Sequence, residues 1–418
     1  MNKKLLAVAV AGALAAPGMA FAQASSVTIS GFFKVGFESL KYSDENQTLQ
    51  TVNRLNNNQL RVVDNSSRII FNTNEDLGNG MSAIGQLDVR FSPDQASTIQ
   101  TSNPIGSGNT WVGLKSNTLG MIRLGRFDLH YGKAPSDLTN KAGALQAATT
   151  SLFDYIGQSA IANATRTQNV IKYDSPNFSG FTGSLAYSTN PVGNSEQDML
   201  NTTAALGQQS VTPGPIPGTA AIGTALVAGG ATTPGGTNTS RKGYGYNANP
   251  EYTNGPFQIG YSHWFAKPDA PIATTNDQTG DSVYGYWKFG DLKIGLGWNR
   301  SKLENSNSER KVAERDAWSL PVAYTMGPHS FYGHYTEAEH IKSDTIANTS
   351  NTGAKMFALA YEYSLSKRTS VGLTYAQIKN DDAANYNFFT SNSLGSTDAV
   401  PGLGAKLELF QATIFHSF

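Results

Sequence analysis

Several arginines occur where an alternating pattern turns them away from apolar neighbours. Arg68 precedes Ile69, and Arg123 lies between Ile122 and Leu124. Fixed charges that line a narrow aqueous passage attract counter-ions and repel co-ions, with no need for a nucleophile or a metal. The candidate residues for such a constriction are the basic Arg68, Arg90, Arg123, Arg126 and Arg166 and the acidic Asp137 and Asp154.

The usual signatures of catalysis and of metal binding are missing from the sequence. The chain has no cysteine, which excludes disulfides, thiolate metal sites and cysteine nucleophiles. Its six histidines lack zinc-site spacing, and neither a G-x-S-x-G elbow nor a phosphate-binding loop occurs. We therefore expect no cofactor. The 31 basic side chains equal the 31 acidic ones, which argues against a nucleic-acid partner.

The N-terminus has the three parts of a secretory signal peptide. Lys3 and Lys4 form a basic start, residues 5–16 are apolar, and Ala20-Phe21-Ala22 is a small-x-small cleavage site. The apolar run is too short to span a membrane as a helix. We expect residues 1–22 to be removed and residues 23–418 to form one domain.

The stretch from Ser66 to Phe91 is predicted to be a β-hairpin. Ile69 and Phe71 fall on one face of its first arm and Arg68 on the other, which is the period of a strand with two different surroundings. The same pattern recurs along the chain and gives sixteen strands joined by alternately short and long connections. This arrangement predicts an all-β fold, a closed transmembrane antiparallel β-barrel, and a soluble sandwich or propeller is the alternative.

The long connections are expected on one side of the barrel. Two of them are residues 41–65 and 92–108, and the third, Asp128–Thr167, is long enough to suggest a function. Aromatic residues near strand ends are typical of the two membrane interfaces. Those singled out are Trp264, Phe265, Trp298, Tyr332, Tyr361 and Tyr363.

Several segments carry a family likeness and occur in the family's order along most of the mature chain. Together they resemble the Gram-negative general porins of the neisserial and β-proteobacterial type. The segments are Ser26–Gly31, Ser67–Ile69, Glu75–Gly80, Ala83–Asp88, Val112–Leu114, Leu124–Arg126, Arg166, Asn169–Phe178 and His416–Phe418.

The resemblance implies a homotrimer of sixteen-stranded barrels in the outer membrane, with short periplasmic turns and long outer loops. It implies that the third loop folds into the lumen and that the terminal Phe418 is an assembly signal. Arg68 and Arg166 resemble members of the family's basic cluster, whereas Asn109 and Thr110 stand where a third family arginine is expected. Arg126 shares the parity of Leu124, so only a bend or bulge would aim it at that cluster.

The resulting hypothesis is a water-filled channel for passive diffusion of ions and small hydrophilic solutes. In it, the arginine cluster faces the third loop and sets the selectivity, and outer-membrane lipids and lipopolysaccharide surround the barrel. The alternatives are a solute-specific channel, a barrel-borne enzyme and an adhesin with a closed lumen. The enzyme would need a Ser/His or Asp/His pair near the outer rim, and His130, His329 and His334 have no persuasive partner in sequence.

Overall fold

The computed structural model describes most of the chain after residue 24. The described residues are 25–43, 58–94, 105–106, 108–130, 142–153, 155–156, 159–160, 167–189, 243–267, 276–305, 308–345, 347, 349–388 and 401–418. The leader expected at residues 1–22 lies outside them, as do Asp137, Asp154 and Arg166.

The described residues form antiparallel strands and two short helical turns. The strands are β1 (Ser26–Ser43), β2 (Asn58–Asp64), β3 (Arg68–Gly78), β4 (Met81–Arg90), β5 (Thr110–Ser116), β6 (Gly120–Phe127), β7 (Tyr155–Ile156), β8 (Ser159–Ala160), β9 (Thr167–Asp174), β10 (Phe181–Ser188), β11 (Tyr244–Asn254), β12 (Phe257–Lys267), β13 (Asn276–Phe289), β14 (Leu292–Asn305), β15 (Lys311–Met326), β16 (His329–Ala338), β17 (Ala354–Ser364), β18 (Thr369–Asn380) and β19 (Lys406–Ser417). A 3₁₀ turn (Leu145–Ala147) and helix α1 (Thr150–Phe153) lie in the third loop.

The main sheet closes on itself. Each strand pairs with its neighbour, and β19 returns to β1, where Val35 lies opposite Ile414 on one side and Asp64 on the other. Both β2 and β3 pair with β1, so they are one barrel strand interrupted at residues 65–67. With that pair counted once and the separate β7–β8 pair set aside, the predicted closed barrel of sixteen strands is confirmed.

The two faces of the wall differ in chemistry. On β14 the side chains of Ile294, Leu296 and Trp298 point outward and are exposed, whereas Asn299 and Ser301 point inward and are buried. An apolar outer face with a polar inner face is what a strand needs between lipid and water. Among the described residues, no helix is both long enough and apolar enough to cross a membrane.

Three details differ from the sequence expectations. Part of the expected first loop is strand, because β1 extends through Lys41–Ser43 and β2 covers Asn58–Asp64. Strands β13 and β15 each begin six residues earlier than the alternation indicates, at Asn276 and Lys311. The first hairpin turns tightly at Asn79-Gly80, with φ of 53° and 74°. Trp264 and Tyr332 face the lumen rather than a membrane interface, since both alternate with outward-facing neighbours.

Candidate functional site

A bulge in the wall directs Arg68 into the lumen. The seven residue steps from Arg61 to Arg68 oppose only six on β1, from Glu38 to Phe32, so the alternation shifts by one residue. The Asp64 carboxylate stabilises the bulge by accepting hydrogen bonds from the amides of Ser66 (2.9 Å) and Ser67 (3.0 Å). The guanidinium of Arg68 then donates to the Ser66 hydroxyl at 2.8 Å, which fixes its direction.

Arg68 and Arg90 share one buried carboxylate. They are direct partners in the β3–β4 register, and a guanidinium nitrogen of each lies 3.5 Å from the same Asp88 oxygen. The side chain of Asp88 is 2 % exposed, against 22 % for Arg68 and 11 % for Arg90. Arg68 also lies over the Phe32 ring, 5.0 Å from its centroid. The pair therefore presents two cations to the water side of the wall, with one carboxylate buried beneath them.

The residues at and next to the position of the expected third arginine have structural roles. A Cβ at Gly108 would lie 1.9 Å from the Asp88 carboxylate, so any other residue there would displace that carboxylate. The Asn109 side chain accepts from the Asp128 amide at 2.7 Å and donates to its carboxylate at 3.1 Å. These contacts join the start of β5 to the start of the third loop.

Two further basic residues on this wall were missed from the sequence. The Arg61 guanidinium donates twice to the buried Glu38 carboxylate, at 2.9 and 2.7 Å, and Gln411 donates to the other oxygen at 2.7 Å. Arg61 was missed because its segment was assigned to a loop. Lys34 shares the inner face of Glu38, as the alternation of β1 indicates, but it was not counted among the candidates for the constriction.

The charges of this wall nearly balance. Four cations are set against three carboxylates: Lys34, Arg61, Arg68 and Arg90 with Glu38, Asp64 and Asp88. Just after β4, burial raises the pKa of the Asp94 carboxyl, although hydrogen bonds from the backbone of Asp94 and Asp64 and the charge of Arg61 oppose this. The fixed charge is therefore close to neutral, with the arginines nearest the water.

Arg123 lies in a different part of the lumen. Its guanidinium donates to the Asp174 carboxylate at 2.6 Å, and Lys172 contacts the other oxygen at 2.6 Å. Following the pairing through Gly113 leads to Ile84, six residues from Arg90 along β4. At about 3.3 Å per residue, this places Arg123 about 20 Å from Arg90 along the strand direction, on the side of the short turns.

Arg126 does not join either basic group. A register shift does occur beside it, between Gly125 and Phe127, but the extra residue is on β9, where Asn169 has a φ of 54°. Phe127 remains on the face of Arg123, whose guanidinium lies 5.2 Å from its ring. Arg126 therefore keeps the parity of Leu124, opposite to Arg123.

The third loop packs against the inner wall of β15–β18. The Ala142 amide donates to Glu362 at 3.1 Å, and the Ala144 amide donates to the Thr374 hydroxyl at 3.0 Å. A Cβ at Gly372 would lie 2.4 Å from the Ala142 carbonyl oxygen, so only glycine permits this approach. Further along, the fully buried Arg315 donates to the last carbonyls of α1, and the Leu145 amide reaches back to Asn65 beside the bulge, at 2.8 Å.

The middle of the third loop, as far as it is described, carries no charge. Residues 142–153 contain no Asp, Glu, Lys or Arg, and the two candidate acids, Asp137 and Asp154, lie outside the described residues. The carboxylates paired with the arginines belong to the wall. The expected field between a basic wall and an acidic loop therefore stays a prediction.

The family comparison agrees with the architecture. The model of the Gram-negative porin family matches residues 7–383. The chain belongs to this family. As a porin, it is a protein of the outer membrane.

Individual proteins are similar to this porin over different lengths. The major outer membrane protein P.IB of Neisseria meningitidis is 32% identical over 190 residues, 46% of this chain and 50% of that protein. The chain thus spans about half the length of such curated relatives. A monosaccharide porin from Halomonas sp is 26% identical over 364 residues, 83% of this chain and 82% of that protein. An anion-selective porin from Comamonas acidovorans has the same fold, with a TM-score of 0.68 at 19% identity, covering 94% of this chain and 100% of the other.

One serine–histidine pair in the porin resembles a catalytic arrangement. The Nδ1 atom of His130 lies 2.9 Å from the Ser262 hydroxyl, which also accepts from Asn247 at 3.0 Å. The His130 and Ser262 side chains have no solvent exposure. Across the described residues, no three His, Cys, Asp or Glu side chains are grouped as metal ligands. The pair therefore connects the third loop to the wall.

Proposed function

We propose that the chain forms a water-filled channel for passive diffusion of ions and small hydrophilic solutes across the outer membrane. The observation that carries this proposal is a closed barrel with a polar, charged inner wall, narrowed on one side by the third loop. The outer face is apolar, as contact with lipid requires. Because the third loop covers the inner surface of β15–β18, the water path is lined by the wall around Arg68 and Arg90.

We further propose that Arg68 and Arg90 set the ion preference, and that this preference is weakly anionic. The support is their position at the water side of the wall, above a carboxylate that is almost fully buried. The near balance of charge on β1–β4 argues for a small preference. Arg166, Asp154 and Asp137 remain candidates for the same constriction, and Arg123 belongs to a second site nearer the periplasm.

The test is the single-channel conductance and the reversal potential of the refolded protein in a planar bilayer under a salt gradient. Arg68→Ala should move the reversal potential toward cation preference. Arg126→Ala is the matched control, because it removes the same charge from the opposite face. Equal reversal potentials for wild type and Arg68→Ala would contradict the site assignment, and a correctly folded barrel without conductance would contradict the channel.

We also propose that the mature protein begins near Gln23 and assembles as a homotrimer surrounded by lipid and lipopolysaccharide. The sequence motif supports the cleavage, and the family supports the trimer. An outer membrane protein of the same fold, OmpT of Vibrio cholerae, is known in a trimer form, at a TM-score of 0.57. Mass spectrometry of the exported protein and light scattering in detergent would test both statements. A mature mass that includes residues 1–22, or a monomer alone, would contradict them.

A solute-specific channel is the second candidate. Aromatic side chains do face the lumen, with Phe32 below Arg68 and Trp111 below Arg123, and the Halomonas relative is described as a monosaccharide porin. Liposome swelling separates the two candidates. A rate that rises linearly with sugar concentration supports diffusion, whereas a saturating rate supports a binding site. We propose no catalytic activity, since Ser262 is inaccessible.

A further inference from the structure

The last outer loop also turns into the barrel. Its described base, residues 381–388 and 401–405, joins β18 to β19 and is here named the last-loop base. Tyr386 and Ala384 in it have no solvent exposure, and Phe388 and Leu403 are each 2 % exposed. An outer loop that extended into water would expose these side chains. Their burial places this part of the chain against the inner wall at the mouth of the barrel.

The last-loop base and the third loop belong to one apolar cluster. Ala144, Ala147 and Leu152 of the third loop are in the same cluster as Tyr386 and Phe388. The cluster is completed by inward-facing side chains of the wall: Leu40, Tyr42, Ala338, Ala354, Met356, Ala358, Ala376, Ile378, Leu407 and Leu409. Apolar side chains on the inner face of a water-filled barrel are unfavourable unless they are covered. The two loops together provide that cover.

One side chain holds both ends of the last-loop base. The Asn380 amide nitrogen donates to the carbonyls of Tyr386 (3.0 Å) and Ala405 (2.9 Å), and its oxygen accepts from the Tyr386 amide at 2.7 Å. The Gly404 amide also donates to the Ala384 carbonyl at 2.9 Å. Asn380 is nearly fully buried, so these bonds are made away from bulk water.

The hydrogen bonds of the third loop hold its backbone but do not cover its apolar side chains. Its hydrogen bonds to Glu362, Thr374, His334 and Arg315 fix backbone groups, but nothing in them excludes water from Ala147 and Leu152. That exclusion depends on the shared cluster. Tyr386 is the largest side chain that the last-loop base contributes to this cluster, so its removal is the change expected to expose the apolar side of the third loop as well as the last-loop base.

We propose that the last-loop base and the third loop form a single packed unit, so that the last loop helps to set the width of the channel. Tyr386 is the positioning residue that couples the two loops. Opening of the last-loop base frees the third loop. Because the third loop then narrows the channel less, larger uncharged solutes can pass. The coupling is a property of the fold; only its consequence for solutes rests on the proposed channel function.

Cysteine labelling tests the coupling directly, because the chain has no cysteine of its own. Ala147→Cys reports on the third loop, Ala384→Cys on the last-loop base, and Ala186→Cys on a separate buried cluster beside Trp264. Each reporter is labelled with a small neutral maleimide in wild type, in Tyr386→Ala and in Asp382→Ala. Asp382 lies exposed in the same loop and serves as the matched control.

We expect Tyr386→Ala to raise the labelling rate of both Ala147→Cys and Ala384→Cys by at least about tenfold, as for a local opening of the structure. The Ala186→Cys rate and all rates in Asp382→Ala should stay at the wild-type level. Faster labelling of Ala384→Cys with an unchanged rate at Ala147→Cys would overturn the proposal. If Tyr386→Ala does not fold, as judged by heat-modifiable migration in electrophoresis, Tyr386→Leu provides the same comparison.

Liposome swelling with neutral sugars of increasing size gives the functional readout. Tyr386→Ala should admit sugars that the wild type excludes, while Asp382→Ala should not. Coupled labelling without a change in swelling would leave the packed unit in place and overturn the part about channel width. An absence of swelling even in wild type would contradict the channel function and leave the labelling result standing.

Discussion

Arg68 and Arg90 face each other across β3 and β4 and reach the same oxygen of Asp88, each at 3.5 Å. Two guanidinium groups this close would repel each other without the carboxylate between them. Asp88 therefore makes the arginine pair possible and also halves its net charge. The ion preference of the channel depends on this balance as much as on the arginines.

Asp88→Asn should make the channel more selective for anions. The substitution keeps an oxygen for the Asn109 amide, which donates to the carboxylate at 3.3 Å, but removes the negative charge. We expect the anion-to-cation permeability ratio to rise by about twofold to fivefold, since one charge in a narrow passage shifts the local potential substantially. The reversal potential in a salt gradient measures this. Asp76→Asn at the exposed end of β3, next to the first short turn, should leave it unchanged, and a fall in the ratio would refute the prediction.

Gly372→Ala should displace the third loop. The new Cβ would lie 2.4 Å from the Ala142 carbonyl oxygen, which is a steric clash with the backbone of the loop. We expect a loss of about 1–3 kcal/mol in stability, typical of overpacking, together with larger current fluctuations in the open channel. Gly183→Ala on β10 is the control, because the nearest atom would be 3.7 Å from its Cβ. Unfolding midpoints in detergent compare the two, and equal midpoints would contradict the close approach.

The closed barrel could be predicted because period-two alternation survives in most strands. The barrel strand formed by β2 and β3 shows where it fails. Leu60 and Val62 face outward before the bulge and Ile69 and Phe71 after it, so the apolar positions change from even to odd. A search for apolar alternation that keeps the same phase along the whole strand therefore misses the residues before the bulge. Arg61 is one of these residues.

The early starts of β13 and β15 have another cause. Their outer ends carry charges on the outward face, with Lys302 of β14 opposite Glu314 of β15. Most outward positions there are polar or charged, and Val312 is the exception, so the sequence lacks the apolar alternation of a strand. The pairing of Arg68, Asp88 and Arg90 also could not be predicted, because it depends on the register between strands. The sequence does show which side chains share a face.

Arg315→Ala should loosen α1 from the wall. The Arg315 guanidinium donates to the carbonyls of Leu152 and Phe153, both of which are buried. Each carbonyl left without a donor costs roughly 1–3 kcal/mol, so we expect a clear drop in the thermal midpoint and noisier open-channel currents. Arg300→Ala is the matched control on the neighbouring strand, since Arg300 is paired with Asp316 on the outer face. Similar effects of the two substitutions would mean that the third loop is not held by Arg315.

Ser262→Ala should change stability and not chemistry. The Ser262 hydroxyl accepts from Asn247 and contacts His130, and all three side chains are buried. Loss of the hydroxyl leaves polar groups unsatisfied, at a cost of about 1–3 kcal/mol, which a lower thermal midpoint would show. Because no solvent reaches Ser262, the wild-type porin should not react with a fluorophosphonate probe for activated serines. Labelling of wild type that disappears in Ser262→Ala would instead establish a reactive serine in the barrel wall and revive the enzyme alternative.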